Sequence, residues 1–356
     1  MKRLFLIGAF LLMIKGTNAQ PLLWDMEELN ELRTLPTQKD FQYITKLADT
    51  IIQRNPVSVT EKETTHSGNK HNFESLSIYY WPNPNDPAGP YIVKDGQRNP
   101  EYKKYDLPRL STLNHNTHYL ARAYYLTGEE VYLRAFVQQI DTWFIQKDTR
   151  MTPHFKYAQF IPGRNEGKGC SAGLIDAYNF IDVIESVRLV DSVHPIGKKR
   201  MKKFKAWFAD FSSWMQKSET GRGAAAMNHN IGTAYDILLY YLALFEGDKE
   251  TAQHVAATFE EKRIIPQIEA DGTQPIQQKR TKVFSYSVSN LYHIMDMCIL
   301  QKEVPSRVRK ALLHLSQYIG KKELFPYQEI GDWEEAEKKL HAIIRRANQL
   351  GCDIRY

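Results

Sequence analysis

Asn228-His229-Asn230 is followed about fifty residues later by Arg280 and Tyr286. An amide, an imidazole, a guanidinium and a phenol can together take a proton from a carbon next to a carboxylate. The C5 proton of a uronic acid is of that kind. It lies α to the C6 carboxylate and is only weakly acidic. Its removal puts a second negative charge on the carboxylate, as an enediolate-like species. Arg280 offers a planar, bidentate fork for that charge, and Asn228 one more donor. Losing one preorganised donor of this sort costs roughly 3–4 kcal/mol of transition-state stabilisation. His229 can act as base or help neutralise the charge. Tyr286 can protonate the departing O4, and can act as base where the guanidinium lowers its pKa.

Both groups are expected at helix starts. Asn228 is a natural N-cap for the run that follows, and Ser285 for a helix beginning at Tyr286. Helix N-termini favour anions through their free N–H groups and dipole. Plainer readings stand beside the chemical one. An Asn-His pair can be only a cap, Arg280 a surface charge and Tyr286 a core aromatic. Other constellations are weaker. His115 and His118 lie i,i+3 on an expected helix without the glutamate of H-E-x-x-H. No G-x-S-x-G and no phosphate-binding glycine loop occurs. The basic run at 198–205 reads as a solvated helical face, and nothing else points to nucleic acid.

The elements that must position these residues are helical nearly throughout. Periodicity predicts helices over about 39–54, 110–126, 129–146, 172–192, 197–217, 229–245, 248–264, 286–301, 305–319 and 333–349. Gly128 and Gly247 separate pairs of them, each followed by acids, as in antiparallel hairpins. Repeated hairpins imply an α/α array, either an open solenoid or a toroid with a central cleft. The largest irregular segment, about 55–108, carries Tyr79-Tyr80-Trp81 and Tyr91 on a proline-rich loop, then Lys94 and Arg98. Aromatics followed by cations suit an acidic sugar, and the bland alternative is a loop packed on the helices. A second irregular stretch, 152–169, holds Tyr157 and Gln159.

Residues 1–19 read as a cleaved leader. Lys2 and Arg3 precede a short apolar core, and Thr17-Asn18-Ala19 supplies the small residues before the cut. Residues 20–356 then form one domain, and the expected location is periplasmic or secreted. Lys2, Arg3 and Lys15 would leave with the leader, taking three of the six formal positive charges. The mild balance permits an anionic partner. Cys170, Cys298 and Cys352 are too dispersed for a disulfide framework or a zinc-thiolate site, though one bridge is possible. Cys298 lies on an apolar helical face, as a buried small hydrophobe does.

Taken together, YYWPNPNDPAGPYIVKDGQRNPE, YYLTGEEVYLRAF, FKYAQFIPG, the NHN helix start and QPIQQKRTKVFSYS resemble the alginate lyase superfamily of α/α-toroid polysaccharide lyases, most closely its single-domain members. The resemblance covers nearly the whole chain after the leader. It departs in three places. Met227 precedes the Asn-His pair, Arg280 and Tyr286 stand one residue closer, and Ser287 follows the tyrosine.

The resemblance implies an all-α, incomplete α/α toroid with a long lid loop. It implies Asn228, His229, Arg280 and Tyr286 as the catalytic group, the Tyr80–Arg98 segment as lid, and Gln159 facing the cleft. Tyr80, Trp81, Tyr91, Arg98 and Gln159 are the expected substrate-binding residues. The expected activity is metal- and cofactor-free β-elimination on an acidic polysaccharide by a monomer. Poly-mannuronate alginate is first and glucuronan second. Two rivals remain. A glycoside hydrolase would need two opposed carboxylates roughly 5–9.5 Å apart, with Asp176 and Asp236 as candidates. A non-catalytic sugar-binding protein would need the Trp81 loop but neither Arg280 nor Tyr286.

Overall fold

A computed structural model describes residues 20–356, and the expected leader lies outside them. The helices are α1 Met26–Arg33, α2 Lys39–Ile51, α3 Leu107–Thr127, α4 Glu130–Ile140, α5 Asn179–Val193, α6 Lys198–Lys217, α7 Glu219–Ala225, α8 Asn230–Glu246, α9 Lys249–Phe259, α10 Pro275–Gln278, α11 Val283–Gln301, α12 Ser306–Ser316 and α13 Trp333–Gln349. Four short strands interrupt them: β1 Glu74–Leu76, β2 Tyr80–Trp81, β3 Ile92–Val93 and β4 Tyr157–Phe160. The hairpin α3–α4 turns on Gly128 and α8–α9 on Gly247, both in the left-handed region and both returning an N–H to the preceding turn.

Helices α3, α5, α8 and α11 carry the core. The α3 helix packs on α5, and α8 on α11, while α4 backs α3 and α9 backs α8. This arrangement is an incomplete α/α toroid. Its inner helices are apolar around most of their circumference. In α8 the buried run Gly232–Leu239 is unbroken, which a two-layer array demands of its inner ring. The terminal α13 is amphipathic instead. It buries Trp333, Ala336, Leu340, Ile343, Ile344 and Ala347, and Asp332 caps it through the Glu335 N–H at 3.0 Å. Most of the aromatic excess is structural. Phe144, Phe155, Phe180, Phe204, Trp207, Phe208 and Phe211 form one cluster with largely edge-to-face contacts.

Two expected helices end differently. The 129–146 window is α4 followed by a π turn, Asp141–Ile145, and the 248–264 window is α9 followed by another, Glu260–Ile264. The 172–192 window opens as 3₁₀ turns over Ser171–Tyr178 before becoming α5. The α1, α7 and α10 helices fell outside the periodic windows. All three are short, and α7 contains two glycines. The three cysteines are free thiols, with Cys298 buried.

The long irregular segment is ordered by buried charge. Lys62 and Asp106 are both fully buried and pair at 2.9 Å. Lys62 also donates to the carbonyls of Val59, Lys70 and Asn72 at 2.7–2.9 Å. Asp106 accepts from the Glu74 N–H, and Glu74 in turn accepts from Thr65, His66 and Ser67. Burial pushes the Asp106 carboxyl up to about 6, while Lys62 pulls it back. This network fixes the base from which β1 and β2 rise. β1 pairs in parallel with β4, and β2 pairs with β3 as an antiparallel hairpin, with Tyr80 opposite Val93 and Trp81 opposite Ile92.

Replacing Lys62 by Met should destabilise the fold by about 3–5 kcal/mol, because Asp106 is left buried with only the more distant Arg109, at 3.7 Å, as a cation. A drop of less than about 1 kcal/mol in denaturant unfolding would show that the pair does not hold this segment together.

Candidate active site

The turn before α8 is built from the backbone outward. Arg263, in the π turn after α9, has no solvent exposure. Its Nε donates to Asp236 at 2.6 Å, Nη1 to the Met227 carbonyl at 2.5 Å and Nη2 to the Ala225 carbonyl at 2.7 Å. Gly232 lies against this contact. A Cβ there would stand 1.9 Å from the Met227 oxygen and 2.3 Å from Arg263 Nη1. The guanidinium therefore sets the path from α7 into α8 and so presents Asn228 and His229.

The cap is His229, not Asn228 as expected. His229 takes the extended N-cap conformation, and its Nδ1 lies 3.4 Å from the Ile231 N–H and 3.2 Å from Asn230 Oδ1. Asn228 is exposed. Burial lowers the His229 pKa, and the charges of Arg280 and Arg263 lower it further against a raising contribution from Asn230. The imidazole is thus held neutral at ordinary pH.

Arg280 sits between α10 and α11. Its guanidinium lies 4.2 Å from the centroid of the Tyr286 ring and pairs with Asp95 at 2.7 Å. The Tyr286 hydroxyl is buried without a hydrogen bond of good geometry. Burial holds its pKa well above the ordinary phenol range, the neighbouring Tyr79 phenol adds to this, and Arg280 opposes it. Arg280 therefore links three of the four candidate groups, since it touches Tyr286 and its charge reaches His229.

Ser285 is not a cap. The α11 helix begins earlier, at Val283, and Glu329 reaches its start from 44 residues away. The Glu329 carboxylate accepts from Ser285 N at 2.9 Å, Ser285 Oγ at 3.0 Å and Gly331 N at 2.6 Å. The anion site expected at this helix end is thus filled by the protein's own carboxylate.

The lid residues divide. Tyr80 lies under Arg164, with 5.4 Å to the ring centroid, and Trp81 under Lys94 at 5.0 Å. Trp81 Nε1 donates to the Gln97 carbonyl, and the Tyr91 hydroxyl donates to Glu101 at 3.0 Å. The polar ends of Trp81 and Tyr91 are therefore used inside the loop. Arg98 is exposed. Gln159 has a positive φ of 49°. Three contacts hold it there: its N–H on Ser75 Oγ, its carbonyl on the Cys170 thiol, and its Nε2 on Asp176 Oδ1 at 3.1 Å. A strained non-glycine residue fixed at both backbone polar atoms and at its side-chain amide nitrogen is a positioned one.

The two carboxylates of the hydrolase reading do structural work. Asp236 is buried against Arg263 and Lys262. Asp176 is buried with Gln159 and Ser75 as its partners. His118 pairs with Asp182 at 3.0 Å, beside the Trp24 indole on the same carboxylate, and His115 lies against Tyr119. Among the described residues no group of three or more His, Cys, Asp and Glu is placed to hold a metal ion.

Residues 58–310 match the alginate lyase family model. The chain belongs to the alginate lyase family. A crystal structure of an alginate lyase from Bacteroides ovatus matches with a TM-score of 0.88 and 33% identity, over 94% of this chain and 93% of that one. Alginate lyase A1-III from Sphingomonas species A1 matches at 13% identity and a TM-score of 0.48, over 94% of this chain and 81% of that one. No curated protein sequence matches. As a member of the alginate lyase family the protein is a polysaccharide lyase.

Four residues of this lyase that bear on the site were not among the expected site residues: Tyr79, Asp95, Arg263 and Glu329. Tyr79 had a local signal, as the first aromatic of the Tyr-Tyr-Trp run. The other three act across long sequence separations.

Asp176 offers a test with a defined sign. Burial raises its carboxyl to about 6, against hydrogen bonds from Gln159 and Ser75 that lower it. A raised folded pKa means stability that is complete below the unfolded value and is lost as pH rises through about 6. Asp176→Asn removes that loss. The variant should match the parent near pH 4 and exceed it by on the order of 2–3 kcal/mol near pH 8. Equal differences at both pH values in urea unfolding would eliminate a buried charge as the cause.

Proposed function

We propose that the protein cleaves alginate by β-elimination at C4–C5, with poly-mannuronate preferred and glucuronan second. The observation that carries this reading is a guanidinium stacked on a buried, protonated phenol beside a neutral imidazole. Arg280 and the exposed amide of Asn228 bind the C6 carboxylate and neutralise the charge that grows on it. A base takes the C5 proton. The C5–H pair becomes the C4=C5 double bond, and the C4–O4 bond breaks. O4 leaves with a proton from Tyr286. One product carries a 4,5-unsaturated uronate at its non-reducing end, and the other carries the freed O4–H. Arg164 and Lys94, each over a lid aromatic, add positive charge along the path of an anionic chain.

The raised Tyr286 pKa supports the donor role, because a phenol that starts protonated can give its proton to O4. A neutral His229 supports the base role. Mannuronate and glucuronate differ only at C2, and both present the C5 proton on the same face as O4. On those chains one group can serve both ends in turn. Tyr286 does so after first giving its phenol proton to water, a loss that burial opposes and the Arg280 charge favours, while His229 helps neutralise. On guluronate, the C5 epimer, His229 takes the proton and Tyr286 donates from the other face. An exported protein would meet such polymers in the periplasm or outside the cell, which is the location we propose.

The test is a panel of polyuronates followed by ultraviolet absorbance of the unsaturated end. New reducing ends without that absorbance would move the protein to the hydrolases. Tyr286→Phe should lower kcat by roughly 10²–10⁴-fold with a small change in KM, as expected for loss of a proton donor. Near-normal turnover in that variant would remove Tyr286 from the mechanism.

A further inference from the structure

Arg280 is gripped from one side. Its Nε donates to Asp95 Oδ2 at 3.1 Å and its Nη2 to Asp95 Oδ1 at 2.7 Å. Asp95 is itself fixed by the residue after the arginine. Its Oδ2 accepts from Thr281 N at 3.1 Å and Thr281 Oγ1 at 3.0 Å, and its carbonyl accepts from the same hydroxyl at 3.1 Å. The ring of Tyr286 supports the guanidinium from beneath, at 4.2 Å. Both members of the pair are partly exposed, at 34% for the Arg280 side chain and 28% for Asp95. Asp95 lies on the lid and Arg280 on the toroid, 185 residues apart.

A guanidinium has a fixed planar set of five N–H donors. Asp95 fills the side-on pair, Nε and Nη2. The end-on pair, Nη1 with the second Nη2 hydrogen, meets no protein acceptor among the described residues. We propose that Asp95 is a positioning residue for the elimination: it locks the plane of Arg280 against Tyr286 and reserves the end-on edge for the uronate carboxylate. The proposal rests on the lyase reading above. It ties carboxylate recognition to the lid, since the residue that aims the cation belongs to the segment that covers the cleft.

Two other roles for Asp95 predict different kinetics. As a stand-in carboxylate displaced by substrate, its removal would tighten binding. As a mere tie for the lid, its removal would loosen the lid and leave chemistry intact. As a positioning residue, its loss costs the step in which charge grows on the carboxylate, so kcat falls more than KM rises.

The experiment is Asp95→Asn, which keeps the size and one acceptor for Thr281, assayed on poly-mannuronate in the parent and in Arg280→Lys. In the parent, kcat should fall roughly 10–100-fold with KM within about threefold. In Arg280→Lys, which has no fork to aim, the added substitution should change kcat by less than about twofold. Asp95→Glu, which keeps the charge, should recover part of the loss. An unchanged kcat, a fall in KM alone, or an equal loss in both backgrounds overturns the proposal. A parent protein that forms no unsaturated product from any polyuronate overturns the lyase reading instead.

Discussion

Arg263 has no access to water, so every donor it carries must be met inside the protein or costs desolvation without return. Asp236, on α8, meets Nε, and the carbonyls of Ala225 and Met227 meet the two terminal nitrogens. Those carbonyls belong to the end of α7 and the turn after it. One cation thus fastens the inner helix, the turn before it and the π turn after α9. The turn is what presents Asn228 and His229. Gly232 is part of the same constraint, because any side chain there would enter the contact between Arg263 and the Met227 carbonyl. Arg263 lies within that π turn and is fully buried there.

The cleft faces a different electrostatic problem. On the proposed reading it would offer positive charge to an anionic chain without spending that charge on the protein's own acids. Four acids around the candidate groups have partners of their own. Glu329 is held by the first turn of α11 and its neighbouring loop, Asp236 by Arg263, and Asp95 by one edge of Arg280 and by Thr281. Asp176 is held by neutral partners, and burial favours its uncharged form. The repulsion a polyuronate would meet is reduced at each of these points, while the end-on edge of Arg280 and the amide of Asn228 stay available.

The helices that build the toroid were readable because their apolar positions recur at helical spacing, as in α8, α11 and α13, and because Gly128 and Gly247 mark the turns. The candidate quartet was chosen from residue types, with the family resemblance adding the context that spacing lacked. Its geometry was not readable. Asn228 and His229 are both able to cap, and the turn pinned by Arg263 decides between them from 36 residues away. Asp95 finds Arg280 across 185 residues, and Glu329 finds Ser285 across 44. Such pairings carry no periodicity and no motif, and they exist only once the lid and the loop before α13 have been brought to the same helix end. The 55–108 segment had the composition of a loop, and its order comes from Lys62 and Asp106, which pair across 44 positions of sequence.

His229 shows how one scaffold leaves two chemistries within reach. Burial and the two arginines keep the ring neutral, so it carries a single proton. Its Nδ1 faces both Asn230 Oδ1 at 3.2 Å and the Ile231 N–H at 3.4 Å. With the proton on Nδ1, given to Asn230, Nε2 presents a lone pair and the ring is a base. With Nδ1 accepting from Ile231, Nε2 carries the proton and the ring is a donor that helps hold the growing charge on the carboxylate. The difference between base and neutraliser is then one proton moved between two ring nitrogens, with no movement of the backbone. Asn230, the third residue of the motif, is the side chain that favours the first state. On the proposed mechanism, the division of labour between His229 and Tyr286 would follow from which face of the sugar bears the C5 proton, and the same turn would serve either one.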